Sequence, residues 1–171
     1  MAFQSSVFLA QGFGVPGELY TDGPHRAESF ILESASAAYN IIGATAFTVT
    51  NEGIAAAGGT GVFAGILVNP KVYATSGTVS GALAPTLTLP NETQAELLTM
   101  GSIVVTLPAA AAIGDSVIYD NTTGALSTIA PGADLPSGKT FANAVVDYYT
   151  VSAAGLAVIT LSPALVIPQP A

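Results

Sequence analysis

GGTGVFAGILVNPK, residues 58–71, opens on a cluster of glycines, runs into unbroken apolar sequence and stops at Asn69-Pro70. Gly58, Gly59 and Gly61 can take φ > 0 and turn or bulge the backbone, and Gly65 lets a second backbone come close. Val62, Phe63, Ile66, Leu67 and Val68 form a continuous rather than alternating run, the pattern of a strand buried on both faces. Pro70 has no N–H for a ladder, so the strand ends there. Gly59 to Ala64 also satisfies the spacing of a dinucleotide-binding turn. That turn needs a helix opening within it and an acidic residue about 20 positions on. Here a β-type run follows, and the next carboxylate after Glu52 is Glu92, so the glycines read as structural.

Working outward, short apolar runs recur between Gly, Pro, Asn and Asp clusters, the pattern of a sandwich or barrel. Before the glycines, strands are expected at 18–20, 29–32 and 40–50; residues 34–39 read equally as a helical turn or a loop. Beyond Pro70, a short strand is expected over 71–75, and Thr86-Leu87-Thr88-Leu89 alternates strictly. Gln94 to Met100 holds good helix formers but leads through Gly101 into Ile103-Val104-Val105, and is read as strand. Asp120-Asn121-Thr122-Thr123-Gly124 is a hairpin turn between strands at 116–119 and 126–129. A long loop over 131–139 precedes strands at 144–150 and 156–161. The expected fold is therefore all-β, a jelly-roll-like sandwich or barrel of short antiparallel strands with a non-globular N-terminal arm. The division is an arm over 1–14, a β domain over 15–162 and a tail over 163–171.

Composition narrows function. The chain has 171 residues, 50% of them hydrophobic and only 8% charged, against about 25% charged in ordinary soluble domains. A net charge of −8 with Arg26, Lys71 and Lys139 as the only cations argues against nucleic acid, whose phosphates need clustered Lys and Arg, and against an anionic membrane surface. The uncharged windows 97–114 and 148–171 are long enough to span a bilayer, but Gly, Pro, Ser and Thr interrupt them and no flanking Lys or Arg orients them. The start, MAFQSSVFLAQGFG, lacks the basic region of a secretory signal. The sequons at Asn91 and Asn121 have meaning only in a secretory pathway.

Catalytic candidates are sparse. There is no Cys, and His25 is the single histidine, so no thiolate nucleophile and no multi-histidine metal site exists. His25, beside Arg26 with Asp22 and Glu28 near in sequence, reads as a turn residue. Glu92 and Glu96 share a face but read as a solvated pair. No cofactor and no enzyme activity are expected. The uncharged arm carries Phe3, Val7, Phe8 and Phe13, too apolar for a free tail, and these are the candidate interface residues, docking on the chain's own domain or on a neighbouring subunit, with completion of the chain's own sheet as the alternative. A homo-oligomer is expected, a dimer before a trimer.

Several of these segments together resemble the structural cement (head decoration) proteins of tailed bacteriophages. The matching pieces are 58–71, LAPTLTLP at 83–90, LLTMGSIVVTLPAAAAIGDSVIYDNTTGALST at 97–128, and NAVVDYYT with LAVITL between 143 and 161. VPGELYTDGPHRAESFILESASAAYNIIG at 15–43 is similar to the family's amino-terminal hairpin region. The resemblance implies a virion protein made in the host cytoplasm that binds the major capsid protein on the outer surface of the head and stabilises it across subunit joints. A bacterial surface or fibre subunit assembling by strand exchange is the alternative.

Overall fold

The computed structural model describes residues 14–21, 23–69 and 88–162. Among the described residues nine strands are formed: β1 (Arg26–Leu32), β2 (Ala46–Asn51), β3 (Ile54–Ala57), β4 (Phe63–Leu67), β5 (Gln94–Leu107), β6 (Ser116–Asp120), β7 (Leu126–Ile129), β8 (Lys139–Asp147) and β9 (Gly155–Leu161), with one 3-10 turn at Ala37–Tyr39. They make one sheet in the order β1-β3-β2-β4-β5-β9-β8-β6-β7, and β1 also pairs with β5. That extra pairing closes β1, β3, β2, β4 and β5 into a ring.

The other strands curl into a second wall. β7 returns to the start of β2, where the Ala46 N–H donates to the Gly124 carbonyl at 2.9 Å and the Leu126 N–H to the Ala44 carbonyl at 3.2 Å. The all-β barrel expected from the sequence is thus present, as two barrels sharing a wall. Adjacent residues on the shared strands point into different cores: Ala46, Ile66 and Leu98 belong to one buried cluster, Phe47, Leu67 and Leu97 to the other. This double burial is why β4 reads as continuous apolar sequence. Each fully buried Leu or Ile there contributes roughly 1.5–3 kcal/mol, and neither barrel can shed the wall without exposing the other's core.

β5 is the axis of the arrangement and is not a short strand. Its first half pairs with β1 and β4, its second half, from Gly101 to Leu107, with β9. Gly101 sits where it passes from one barrel to the other, at φ 119°, and a Cβ there would lie 2.8 Å from the Cβ of His25. Only glycine accepts both that backbone and that approach. Along the second half, residues 17–20 run on the opposite edge from β9, with the Gly17 N–H on the Val104 carbonyl and the Tyr20 N–H on the Ser102 carbonyl.

Other details depart from the sequence reading. Val62 is 74% exposed and Phe63 half-buried, so the buried run begins at Ala64; Gly58 and Gly59 have positive φ but Gly61 does not. β1 pairs with β3 in parallel. β8 begins at Lys139, inside the expected loop, and bulges where Asn143 adopts φ 50°. Of the strand expected over 86–89, Thr88 forms an antiparallel bridge with Ile41, while residues 86–87, like 71–75, lie outside the described residues.

The 120–124 hairpin forms as expected. The Asp120 carboxylate accepts the Thr123 and Thr122 N–H groups at 3.0 and 2.9 Å, and Lys139 lies 3.4 Å away. These contacts, the Thr123 N–H first among them, lower the Asp120 pKa. A carboxyl lowered on folding stabilises the protein above its unfolded pKa of about 3.9 and loses that contribution as pH falls through the folded value. Asp120→Ala is therefore expected to cost about 1 kcal/mol at pH 6, as for a lost helix cap, with the gap from wild type closing toward pH 2. Thermal melts of both proteins across that range check it, and a gap independent of pH would count against the turn's carboxylate as the cause.

Candidate interface surface

No arrangement for catalysis emerges among the described residues. His25 is exposed, with Nδ1 3.1 Å from the Gly23 carbonyl oxygen and no carboxylate among the described residues bonded to it. Glu92 lies in a turn at φ 63° and Glu96 is exposed on β5. No three His, Cys, Asp or Glu side chains gather as metal ligands among the described residues, and no helix among them is long and apolar enough to cross a membrane. Phe3, Val7, Phe8 and Phe13 lie outside the described residues.

The structure does assemble a surface that the sequence did not show. Tyr20, on the segment beside β5, meets Tyr148 and Tyr149, which follow β8. The Tyr20 and Tyr148 ring centroids are 4.8 Å apart, Tyr20 stands edge-on to Tyr149 at 6.0 Å, and the Tyr20 and Tyr149 hydroxyls are 2.6 Å apart. That hydrogen bond, with some desolvation, raises the Tyr20 pKa above its ordinary value.

Local chemistry explains the placement. β8 ends because Tyr148 takes φ 60°, a conformation that costs a bulky residue of order 1–3 kcal/mol. Asp147 holds it: one carboxylate oxygen accepts the Tyr148 N–H at 2.8 Å, the other the Thr160 hydroxyl at 3.0 Å, and the Tyr149 N–H reaches the Asp147 carbonyl at 2.7 Å. Tyr148 and Tyr149 remain 46% and 41% exposed. Tyrosines that offer an apolar ring and a polar hydroxyl are among the residue types that dominate protein–protein contacts. Nothing in this surface activates a nucleophile or moves a proton.

The family model described as "Structural cement protein (E217 gp24/Pam3 gp6)" matches residues 3–162. The chain belongs to this family. The cement protein is also similar in fold to a chain of the solved structure described as "The capsid of Myoviridae Phage XM1", with a TM-score of 0.61 and 19% identity over 96% of this chain and 100% of that one. No curated protein matches the sequence. The cement protein is thus a structural, capsid-associated component of a phage virion, and the fibre-subunit alternative gives way to it.

Proposed function

We propose that this cement protein sits on the outer surface of the head as a homo-oligomer, a dimer before a trimer, and bridges major capsid subunits without catalysing a reaction. In this reading it waits in the host cytoplasm until the shell is built. The observation that carries the contact surface is the Tyr20–Tyr148–Tyr149 cluster, with Tyr148 and Tyr149 exposed and their backbone held by Asp147. The division into an arm over 1–14, a β domain over 15–162 and a tail over 163–171 fits a family match that includes most of the arm and stops before the tail. Phe3, Val7, Phe8 and Phe13, too apolar for a free tail, join the attachment surface in this reading. Many modest contacts repeated around a shell give avidity that a single interface lacks.

The test is reattachment to heads stripped of the protein. Tyr20→Ala with Tyr148→Ala removes two anchors, each worth about 2 kcal/mol if it is a hot spot, so affinity is expected to fall by a hundredfold or more while the melting temperature stays within a few degrees. Phe3→Ala with Phe8→Ala asks the same of the arm. A folded tyrosine variant that occupies heads as fully as wild type would remove the cluster from the contact surface.

A further inference from the structure

The first half of β1 is a strand with an open edge. β1 lies against β5 from Arg26 to Ile31, but β3 covers its other side only at Ile31 and Leu32. Residues 26–29 are all exposed. The direction of the backbone groups follows from their neighbours. Leu32 faces β5, its N–H on the Thr93 carbonyl and its own carbonyl accepting from Glu92, whereas Ile31 and Glu33 face outward, onto the Gly53 and Ala55 carbonyls. The register shift near Arg26 places its extra residue, Thr99, on β5. β1 therefore keeps its alternation, and Ala27 and Ser29 point their N–H and C=O groups away from the sheet, with no partner among the described residues.

We infer that this edge is where two copies of the chain join, β1 against β1 in antiparallel register with Ala27 on the two-fold axis. This rests on the homo-oligomer reading above and specifies its contact. Three features fix the register. β3 and the Gly53 turn block the edge from Ile31 onward, which forbids an axis at Ser29, because that axis would set Ala27 opposite an Ile31 N–H already bonded to Gly53. An axis at Glu28 or at Arg26 would bring like charges together in a closely spaced pair, which is destabilising.

An axis at Ala27 sets Arg26 opposite Glu28 of the partner subunit and, by symmetry, Glu28 opposite the partner's Arg26. Both fall at the closely spaced, non-hydrogen-bonded positions where side chains meet. Ala27 then exchanges main-chain bonds with its own copy, and Ser29 with His25 of the partner subunit, for about six hydrogen bonds in all. Arg26 Nε and Glu28 Oε1 already lie 3.5 Å apart within one strand, with both side chains about half exposed. In the dimer each charge gains a second partner of opposite sign. The contact is isologous, the commonest symmetry of protein pairs, and it covers an edge that would otherwise template aggregation.

Cysteine cross-linking and sedimentation test it on the purified full chain, which has no Cys of its own. Ala27→Cys is expected to be linked to its own copy by a short thiol-to-thiol reagent such as dibromobimane, since residues paired across such an axis have Cα atoms about 5.5 Å apart and Cβ atoms somewhat too far apart for a direct disulfide. Ser29→Cys, which faces His25 of the partner subunit, should not be linked. Arg26→Glu alone should weaken the dimer at least tenfold, and Arg26→Glu with Glu28→Arg should restore it. Ala27→Pro, which removes an N–H the monomer does not use, should leave a folded monomer. A wild-type dimer unmoved by Ala27→Pro and not cross-linked through Cys at position 27 would overturn the edge contact and leave the homo-oligomer reading standing. A wild type monomeric at every concentration and on the head would overturn both. A monomer whose Ala27→Pro form no longer binds heads would assign the edge to the major capsid protein and overturn pairing between copies.

Discussion

Gly65→Ala is expected to be among the most damaging single substitutions in the protein. Gly65 lies at φ 131° in the middle of β4, and a Cβ there would sit 2.6 Å from the Leu98 carbonyl oxygen and 2.9 Å from its carbon. The obstacle is backbone, so no rotamer change relieves it. Relief requires β4 to move off β5, and β4 carries Ile66 into one core and Leu67 into the other. Backbone strain of order 1–3 kcal/mol adds to overpacking of similar size, for a loss of about 4 kcal/mol from a total of roughly 5–15. At 2–4 °C per kcal/mol for a chain of this length, the melting temperature should fall by about 10 °C. Gly53→Ala is the control: its φ is also positive, 70°, but apart from its chain neighbours no described atom lies within 4 Å of the added Cβ. Equal melting temperatures for the two variants would show that close approach to Leu98 is not what glycine serves at position 65.

Asn40→Leu should come close behind. Asn40 is fully buried, and its amide nitrogen donates to the Leu89 carbonyl at 3.0 Å and to Asn91 Oδ1 at 2.9 Å, while its Oδ1 accepts from the Ser34 hydroxyl. Ser34 Oγ in turn accepts the Ala57 N–H at 2.9 Å, and the Asn91 amide nitrogen donates to the Ser34 carbonyl at 2.8 Å. These residues tie the segment after β1, the end of β3 and the entry to β5 into one polar knot. Leucine keeps the volume but leaves several buried groups without partners, at about 1–3 kcal/mol each, so a loss of about 3–4 kcal/mol is expected. The network also predicts coupling, because Ser34→Ala with Asn40→Leu should cost less than the two single substitutions added together. Urea midpoints for the three variants supply that comparison, and strict additivity would mean that the side chains act independently.

How far the sequence carried the reading follows from the range of each interaction. The 120–124 hairpin and the continuous run of β4 were legible because their causes are local: Asp120 bonds residues two and three positions on, and burial on both faces leaves no polar positions. The extent of β5 was not legible, since helix formers fill its first half and Gly101 interrupts it. Only the pairing of that half with β1 and β4 overrides those preferences. β8 was misplaced for a related reason, because its early residues gain strand form by pairing with β6. The polar knot and the tyrosine cluster were out of reach: Asn40 meets Asn91 across 51 positions and Tyr20 meets Tyr149 across 129. Neither pairing leaves a periodic trace.

β5 also has a mechanical meaning. Fourteen residues in extended form span about 46 Å at 3.3 Å per residue, so one uninterrupted length of chain runs through both barrels like a tie rod. A pull along its axis is borne in shear by a whole row of hydrogen bonds at once, among them the seven residue pairs that join β5 to β9, rather than opening them one at a time. Were the two ends of β5 pulled apart, the load would pass through its covalent backbone, and the barrels would brace it from the sides.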